Sequence, residues 1–207
     1  MSAASMEWSG VLADADWLHV SGVTPALGAG PTELTLAALR AARARGLRIS
    51  FDCNYRAKLW QTWGGDAASI LAACAAEADL LFADERALAM LLGESSARDF
   101  ATLTARAFAT WPALRWIAAT LRVEHSADHH ELSGRLASRD RLWQSRCWAL
   151  TSIVDRIGSG DAFAAGLLHG LDDGDDHATA LEFAVAAASL KHSIPGDANL
   201  ARVDEIV

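Results

Sequence analysis

Short apolar segments alternate along the 207-residue chain with longer segments rich in alanine and leucine. The short segments predict β-strands, because apolar residues such as Ile49 and Phe51 alternate with polar neighbours. The predicted strands cover residues 16–21, 47–53, 79–82 and 114–120. The longer segments predict helices bounded by capping residues, Pro or Gly. They cover residues 31–46, 66–78, 84–92, 96–110, 160–171 and 176–191. In the first of them we expect Thr32 to be the cap and Gly46 to end the helix.

Residues 124–150 depart from this alternation, since they carry several charges and two strand-like pieces, 131–137 and 142–147. They predict a β-hairpin region. Elsewhere the alternation of strands and helices implies βαβ units, and hence an α/β fold with a parallel sheet covered by helices. Ligands bind such sheets at the carboxyl ends of the strands. The sequence shows no internal repeat and no linker, so we expect a single domain over residues 1–207; the length leaves a second small domain as the alternative.

Charge and composition exclude several classes of protein. Asp and Glu number 26 against 18 Lys and Arg, a net charge of −8, which argues against nucleic-acid and membrane-surface partners. Hydrophobic residues make up 52% of the chain, yet no apolar run approaches the length of a membrane span. The N-terminal residues lack a signal-peptide pattern. Cys53, Cys74 and Cys147 have no metal-binding spacing and predict buried, reduced thiols in a cytoplasmic protein.

The segment 153–170, IVDRIGSGDAFAAGLLHG, contains the most chemistry. Gly158 and Gly160 allow the backbone to turn tightly and to approach a ligand closely, and a helix follows at once. The N–H groups of residues 158–161 would then bind an anion at the start of that helix. Asp161 stands where a carboxylate can accept a proton from a hydroxyl group, so the segment suits phosphoryl transfer. The alternative is a flexible turn with Asp161 as an N-cap only.

Four segments resemble those of a known family. DRIGSGDAFAAGLLHGL at 155–171 resembles the Asp-x-x-Gly-x-Gly-Asp-x-Phe signature of the PfkB, or ribokinase-like, carbohydrate kinases. SFDCNYRAKLW at 50–60 is similar to a segment of the 2-keto-3-deoxygluconate kinases in that family, as is KHSIPGD at 191–197. ADWLHVSG at 15–22 also fits. The four matches are colinear and span essentially the whole chain.

The resemblance implies a three-layer ribokinase-like (Rossmann-like) α/β fold with a mostly parallel sheet. It implies transfer of the γ-phosphoryl group of ATP to the primary hydroxyl of 2-keto-3-deoxygluconate. Asp161 is the implied general base, and the amides of Gly158, Ser159 and Gly160 would hold the phosphoryl oxygens. The implied contacts to the sugar acid are Arg56, Asp161 and Asp197. The alternatives are a surface salt bridge for Arg56 and a turn at residues 195–197 for Asp197. Those to the nucleotide are Asn54, the turn Thr120-Leu121-Arg122, Gly158 and Gly160.

The resemblance also implies Mg²⁺ and leaves room for a monovalent cation. The family's Asn-x-x-Glu element falls at residues 84–87, where Asp84 replaces the Asn and Ala87 replaces the Glu. The implied metal residues are therefore Asp84, Glu85 and Asp155. For Asp155 the alternative is a cap at a strand end. His129, His130 and His192 are expected to be structural or solvated.

Relatives in this family carry roughly a hundred more residues before the first match, close to the length of a small domain. The resemblance therefore implies that the N-terminal strands and the β lid are missing, and that the chain is the C-terminal two-thirds of a kinase domain. An incomplete sugar half and self-association into a homo-oligomer are expected. The alternatives are a kinase of another sugar such as fructose or ribose, and a nucleotide-binding remnant without turnover. A purely structural module would leave residues 158–161 unexplained.

Overall fold

The computed structural model of the chain describes residues 6–95 and 98–206. The chain forms two compact units, Met1–Ile117 and Ala118–Val207, and the boundary between them falls within one strand. The single domain expected for residues 1–207 stays a prediction. Among the described residues, no helix has both the length and the apolar character needed to cross a membrane.

The first unit alternates strands and helices as predicted. Its elements are α1 (Trp8–Val11), β1 (Trp17–Ser21), a 3-10 turn (Pro25–Leu27), α2 (Ala29–Ala44), β2 (Arg48–Asp52), α3 (Ala57–Gln61), α4 (Ala67–Ala75), β3 (Leu80–Phe82), α5 (Glu85–Leu91) and α6 (Phe100–Thr110). The sequence did not predict α1, the 3-10 turn or α3. Residues 96 and 97, with which the prediction for α6 began, lie outside the described residues.

Strands β1, β2 and β3 form a parallel sheet in that order, which confirms the predicted βαβ arrangement in this unit. The pairs Leu18–Ile49 and Phe51–Leu81 set the register. Ile49, Phe51 and Leu81 are fully buried, so the centre of the sheet lies in the core. Parallel pairing places the carboxyl ends of all three strands at one edge, where loops leave the sheet.

Side chains cap the helices largely as their sequences indicate. Asp66, Asp84 and Asp99 each accept a backbone N–H at the start of α4, α5 and α6. Thr32 is not the cap of α2, contrary to the prediction, because α2 begins after Gly28. Its hydroxyl instead donates to the carbonyl oxygens of Pro25 and Gly28 at 2.9 Å.

The second unit contains the predicted hairpin region and two long helices. Its elements are β4 (Trp116–Glu124), β5 (His129–Ala137), β6 (Leu142–Gln144), β7 (Trp148–Thr151), α7 (Ser159–Asp173), α8 (His177–Lys191) and α9 (Val203–Ile206). Strand β5 lies beside β4 and pairs antiparallel with both β6 and β7. Gly166 and Gly170 let α7 pack against α8, since a Cβ at either residue would meet the backbone of Ala184 or Ala180 at 2.8 Å.

Two local predictions are wrong in this unit. Thr120, Leu121 and Arg122 lie inside β4 rather than in a turn, because β4 continues to Glu124 beside β5. Cys147 is exposed, whereas Cys53 and Cys74 are buried as expected; all three are free thiols. Cys147 lies in the short connection between β6 and β7, which leaves it at the surface. Burial raises the pKa of Cys53 and that of Cys74 to about 12, which favours the protonated thiol at neutral pH.

Candidate active site

The turn before α7 has a backbone that only glycine adopts readily. Gly158 is the N-cap of the helix, with a φ of 78° in the left-handed region. A Cβ at this residue would overlap the carbonyl oxygen of Asp197. At Gly160 a Cβ would meet nothing within 4 Å. Gly158 therefore allows close contact with the backbone of Asp197. Gly160 leaves open space beside the first turn of α7.

This helix start presents unused hydrogen-bond donors. Within the described chain, the backbone N–H groups of Gly158, Gly160 and Asp161 have no partner. The N–H of Ser159 makes only a long contact, 3.4 Å, with the carbonyl oxygen of Arg156. Amides at a helix N-terminus, together with the helix dipole, favour an anion such as a phosphate. The structure thus leaves these donors available for a ligand, and the anion site stays a prediction.

The Asp161 carboxylate stands at this same helix start. It is the third residue of α7, is exposed, and makes no hydrogen bond or ion pair with any described residue. A side chain that served only as an N-cap would accept a backbone N–H, as Asp176 does at the start of α8. The N-cap is Gly158, so Asp161 is free to act on a ligand. Its role as a base stays a prediction.

Arg122 is held beside the helix start by two contacts. Its Nη2 donates to the hydroxyl of Ser159 at 3.1 Å and lies 3.3 Å from Nε2 of His192. Ser159 is the first residue of α7 and is buried. A guanidinium therefore stands at the N-terminus of α7, where it adds positive charge for an anionic ligand.

His192 is neutral in this arrangement. Its Nδ1 is 2.7 Å from the carbonyl oxygen of Ala188, which can only accept, so Nδ1 carries the proton. Nε2 is then the acceptor for the Arg122 N–H. Burial lowers the pKa of His192, and the nearby Arg122 lowers it further, although the bond to Ala188 acts in the opposite direction. A structural role was expected for this histidine, and its contact with Arg122 positions that side chain.

Asp155 joins two loops of the second unit. Its Oδ1 accepts the N–H of Ile157 at 3.0 Å, and its Oδ2 accepts that of Gly196 at 2.8 Å. These backbone hydrogen bonds hold the pKa of Asp155 below its usual value, with a smaller contribution from the charge of Lys191. Accepting backbone N–H groups in this way agrees with the alternative in which Asp155 is a cap. The role of Asp155 in metal binding stays a prediction.

In the first unit, the loop after β2 carries Asn54. Its φ is 33°, in the left-handed region, which asparagine tolerates better than most residues. The backbone N–H of Asn54 donates to Oδ1 of Asp52 at 3.0 Å, and its Nδ2 donates to Oγ of Ser21 at 3.1 Å. Asn54 therefore ties the end of β2 to the end of β1. Its predicted contact with the nucleotide is a separate role that stays a prediction.

Arg56 and Asp84 follow β2 and β3 in the same unit. Arg56 is exposed and forms no ion pair within the described part of the chain. Asp84 caps α5 through Oδ1, which accepts the N–H of Ala87 at 2.8 Å, and leaves Oδ2 free. Glu85 is half-buried. Across residues 6–95 and 98–206, no three His, Cys, Asp or Glu side chains converge as a metal site.

Two residues of the second unit were not assigned a site role from the sequence. Lys191 lies in the KHSIPGD run but is fully buried, with Nζ donating to the carbonyl oxygens of Ile194 and Gly196. His192 positions Arg122, as described above. The only sequence signal for Lys191 is a single charge that follows a long apolar stretch of helix.

Comparison with known proteins identifies the family. Residues 2–202 match the pfkB family of carbohydrate kinases. This match covers nearly the whole chain, and the protein belongs to that family.

Relatives and solved structures agree with this family. The 2-dehydro-3-deoxygalactonokinase of Haloferax volcanii is 32% identical over 196 residues, which is 95% of this chain and 57% of the relative. The crystal structure of 2-dehydro-3-deoxygluconokinase from Thermotoga maritima is similar with a TM-score of 0.90 and 31% identity, covering 100% of this chain and 64% of that one. Fructokinase with bound ATP from Xylella fastidiosa is similar in fold, with a TM-score of 0.75 and 20% identity over 100% of this chain and 64% of that chain.

These matches confirm the predicted three-layer α/β fold with a mostly parallel sheet. The chain spans 57% of the length of the Haloferax relative and 64% of the Thermotoga structure.

Proposed function

We propose that the protein is an ATP-dependent sugar kinase, with residues 1–207 forming the C-terminal two-thirds of one kinase domain. The observation that carries this proposal is the start of α7. Three amides and a carboxylate, Asp161, that have no partner among the described residues occur there within four positions. Phosphoryl transfer needs a fixed positive field for the phosphate oxygens and a base for the attacking hydroxyl.

In this proposal the oxygen of the sugar's primary hydroxyl attacks the γ-phosphorus of ATP. The bond between that phosphorus and the oxygen that bridges it to the β-phosphorus breaks. The hydroxyl proton passes to Asp161, and the products are a phosphorylated sugar and ADP. The amides of Gly158, Ser159 and Gly160 stabilise the charge on the transferred group. Arg122 adds a cationic group close to Ser159, at 3.1 Å from its hydroxyl.

The nucleotide is proposed to be ATP with Mg²⁺, because the amides at the helix start suit phosphate and the fructokinase similar in fold has ATP bound. Mg²⁺ neutralises phosphate charge in such reactions and usually keeps several waters. Asp84 suits this ion, since its exposed carboxylate has one oxygen free after capping α5. Asp84 and Glu85 would hold the hydrated ion. Asn54 is proposed to lie near the nucleotide phosphates.

The sugar is proposed to be a 2-keto-3-deoxy acid, with 2-keto-3-deoxygluconate as the first candidate. Arg56 is an exposed arginine without an ion pair in the described chain, so its guanidinium is available to bind a carboxylate. Both 2-dehydro-3-deoxy kinases named above act on this kind of acid. Asp197, which is exposed in the loop after α8, is proposed as a further sugar contact.

The experiment is a substrate panel. The purified chain is incubated with MgATP and, in turn, 2-keto-3-deoxygluconate, its galactonate epimer, fructose and ribose, and each product is identified by ³¹P NMR. We expect a phosphomonoester with the keto-deoxy acids and none with ribose. A phosphomonoester formed only from fructose or ribose would replace the substrate assignment. ATP binding without any product would instead establish a nucleotide-binding protein without turnover.

A further inference from the structure

The last residue of α8, Lys191, has a side chain with no solvent exposure. Its Nζ donates to the carbonyl oxygen of Ile194 at 2.9 Å and to that of Gly196 at 2.7 Å. A buried ammonium is costly unless polar partners compensate for its lost hydration. Backbone carbonyl oxygens are such partners, and here the loop after α8 turns back so that two of them converge on one nitrogen.

The same loop is held by a carboxylate. The N–H of Gly196 donates to Oδ2 of Asp155 at 2.8 Å, while the carbonyl oxygen of Gly196 accepts from Lys191. Gly196 is thus fixed at both ends of its backbone, by an anion and by a cation. The cation also offsets the negative charge of Asp155.

This arrangement adjoins the turn before α7. A Cβ at Gly158 would lie 3.2 Å from Cε of Lys191 and would overlap the carbonyl oxygen of Asp197. The stem of Lys191 and the loop it holds therefore form the surface against which the Gly158 turn packs. Any shift of that loop would move the backbone of Gly158, whose amide is one of the free donors.

Carbonyl oxygens converging beside a carboxylate would also suit a dehydrated monovalent cation, because such oxygens replace the ion's hydration shell. In this chain the Lys191 ammonium already fills the space between the two carbonyls. The donor set therefore does not fit the monovalent cation that the family resemblance leaves room for.

We propose that the Lys191 ammonium is the built-in cation of the phosphate-binding turn and takes the place of an exchangeable monovalent ion. The predicted effect of Lys191 on nucleotide binding rests on the proposed function. The effect of Lys191 on the loop does not depend on catalysis. Lys191 is a positioning residue. It fixes the loop 194–197, and through that loop the backbone of Gly158.

The first test uses the unaltered chain. Its melting temperature and its dissociation constant for MgATP are measured in chloride salts of potassium, sodium, caesium and tetramethylammonium at equal ionic strength. We expect the dissociation constant to agree within about two-fold across the salts, as for any ion without a specific site. Potassium that tightens ATP binding more than about ten-fold over tetramethylammonium would overturn the proposal.

The second test removes the built-in cation. Lys191→Ala should lower the melting temperature, and potassium or ammonium chloride should restore part of the loss because the ion can occupy the vacated carbonyls. Lys191→Met, whose side chain fills the space, should lose stability without this salt-specific rescue. Lys58→Ala, at the only other lysine of the chain, is the matched control and should respond equally to all four salts.

The outcomes are separable from those of the kinase proposal. A chain that binds no ATP defeats the proposed function, while its melting temperature in the four salts still tests the cation. A Lys191→Ala variant as stable as the unaltered chain, with no response to potassium, would show that Lys191 does not hold the loop and would overturn the inference. If that variant fails to fold, Lys191→Met and the salt series on the unaltered chain still decide.

Discussion

Gly158 and the carbonyl oxygen of Asp197 lie so close that a Cβ at residue 158 would overlap that oxygen. The contact joins the turn at residues 158–161 to the loop after α8. The whole length of α7 and α8 separates these two segments in the chain. The shape of the turn at Gly158 therefore depends on a loop that Lys191 and Asp155 hold in place.

A Gly158→Ala substitution tests this packing. We expect it to weaken MgATP binding and to lower the free energy of unfolding, because both the positive φ and the contact with Asp197 oppose a side chain. Gly174→Ala is the matched control, since Gly174 caps the other end of α7 with a φ of 83° and has open space around it. The control should cost about 1–3 kcal/mol from backbone strain alone. Urea unfolding and ATP titration of both variants measure the difference; equal losses would mean that the contact contributes nothing.

His192 predicts a pH dependence of stability. Burial lowers the pKa of His192 below the ordinary value of 6.5, so the unfolded chain binds its proton more readily than the folded one. The contribution of neutral His192 to the free energy of unfolding is therefore complete above pH 6.5. It is lost as the pH falls below that value. His192→Asn, which cannot titrate, should flatten this part of the curve. His169→Asn, at a partly exposed histidine of α7, is the matched control.

The decisive measurement for His192 is the free energy of unfolding from urea titrations between about pH 5 and 8, a window that includes the ordinary histidine pKa but not that of aspartate. Parallel curves for the unaltered chain and His192→Asn would mean that this histidine is not the titrating group.

Arg56 is expected to govern the affinity for the sugar acid. Arg56→Ala should raise the KM for 2-keto-3-deoxygluconate by about 10- to 100-fold, because a charge-assisted hydrogen bond contributes about 1.5–3 kcal/mol. The KM for ATP should change little. Arg45→Ala removes an exposed arginine at the end of α2 and serves as the control. Steady-state kinetics with each substrate varied in turn separate the two constants, and an increase in the KM for ATP alone would contradict the assignment.

The two lysines of the chain offer a chemical test of burial. Lys58 is exposed and Lys191 is fully buried. Reductive methylation of the native chain followed by mass spectrometry should modify Lys58 and spare Lys191, and denaturation should expose both to the reagent. Methylation of Lys191 in the native chain at the rate of Lys58 would show that the loop 194–197 does not enclose it.

The sequence predicted those parts of the fold that are governed by local chemistry. The alternation at Ile49 and Phe51 marks a strand, and the helices that Asp66 and Asp84 cap begin where they were predicted. Gly158 predicted the tight turn before α7, because a backbone with positive φ favours glycine. The family signature then suggested roles for Asp161 and Arg56.

The remaining features depend on contacts between segments distant in sequence. Nothing local shows that β4 continues to Glu124, since its second half lies beside β5. A lysine at a helix C-terminus ordinarily interacts with the helix dipole at the surface, so the burial of Lys191 becomes evident only when the loop at Gly196 turns back over it. His192 likewise acquires its role from Arg122, 70 residues earlier in the chain.

The most direct test of the kinase proposal is ADP release from MgATP with and without 2-keto-3-deoxygluconate, for the unaltered chain and for Asp161→Asn. Because the base is removed while the amides remain, we expect sugar-dependent ADP release to fall by about 10²- to 10⁴-fold while MgATP binding persists. Asp173→Asn, at the other end of α7, is the control and should retain activity. Sugar-dependent ADP release that survives in Asp161→Asn would contradict the proposed role of Asp161, and ADP release that never depends on the sugar would contradict the proposed function itself.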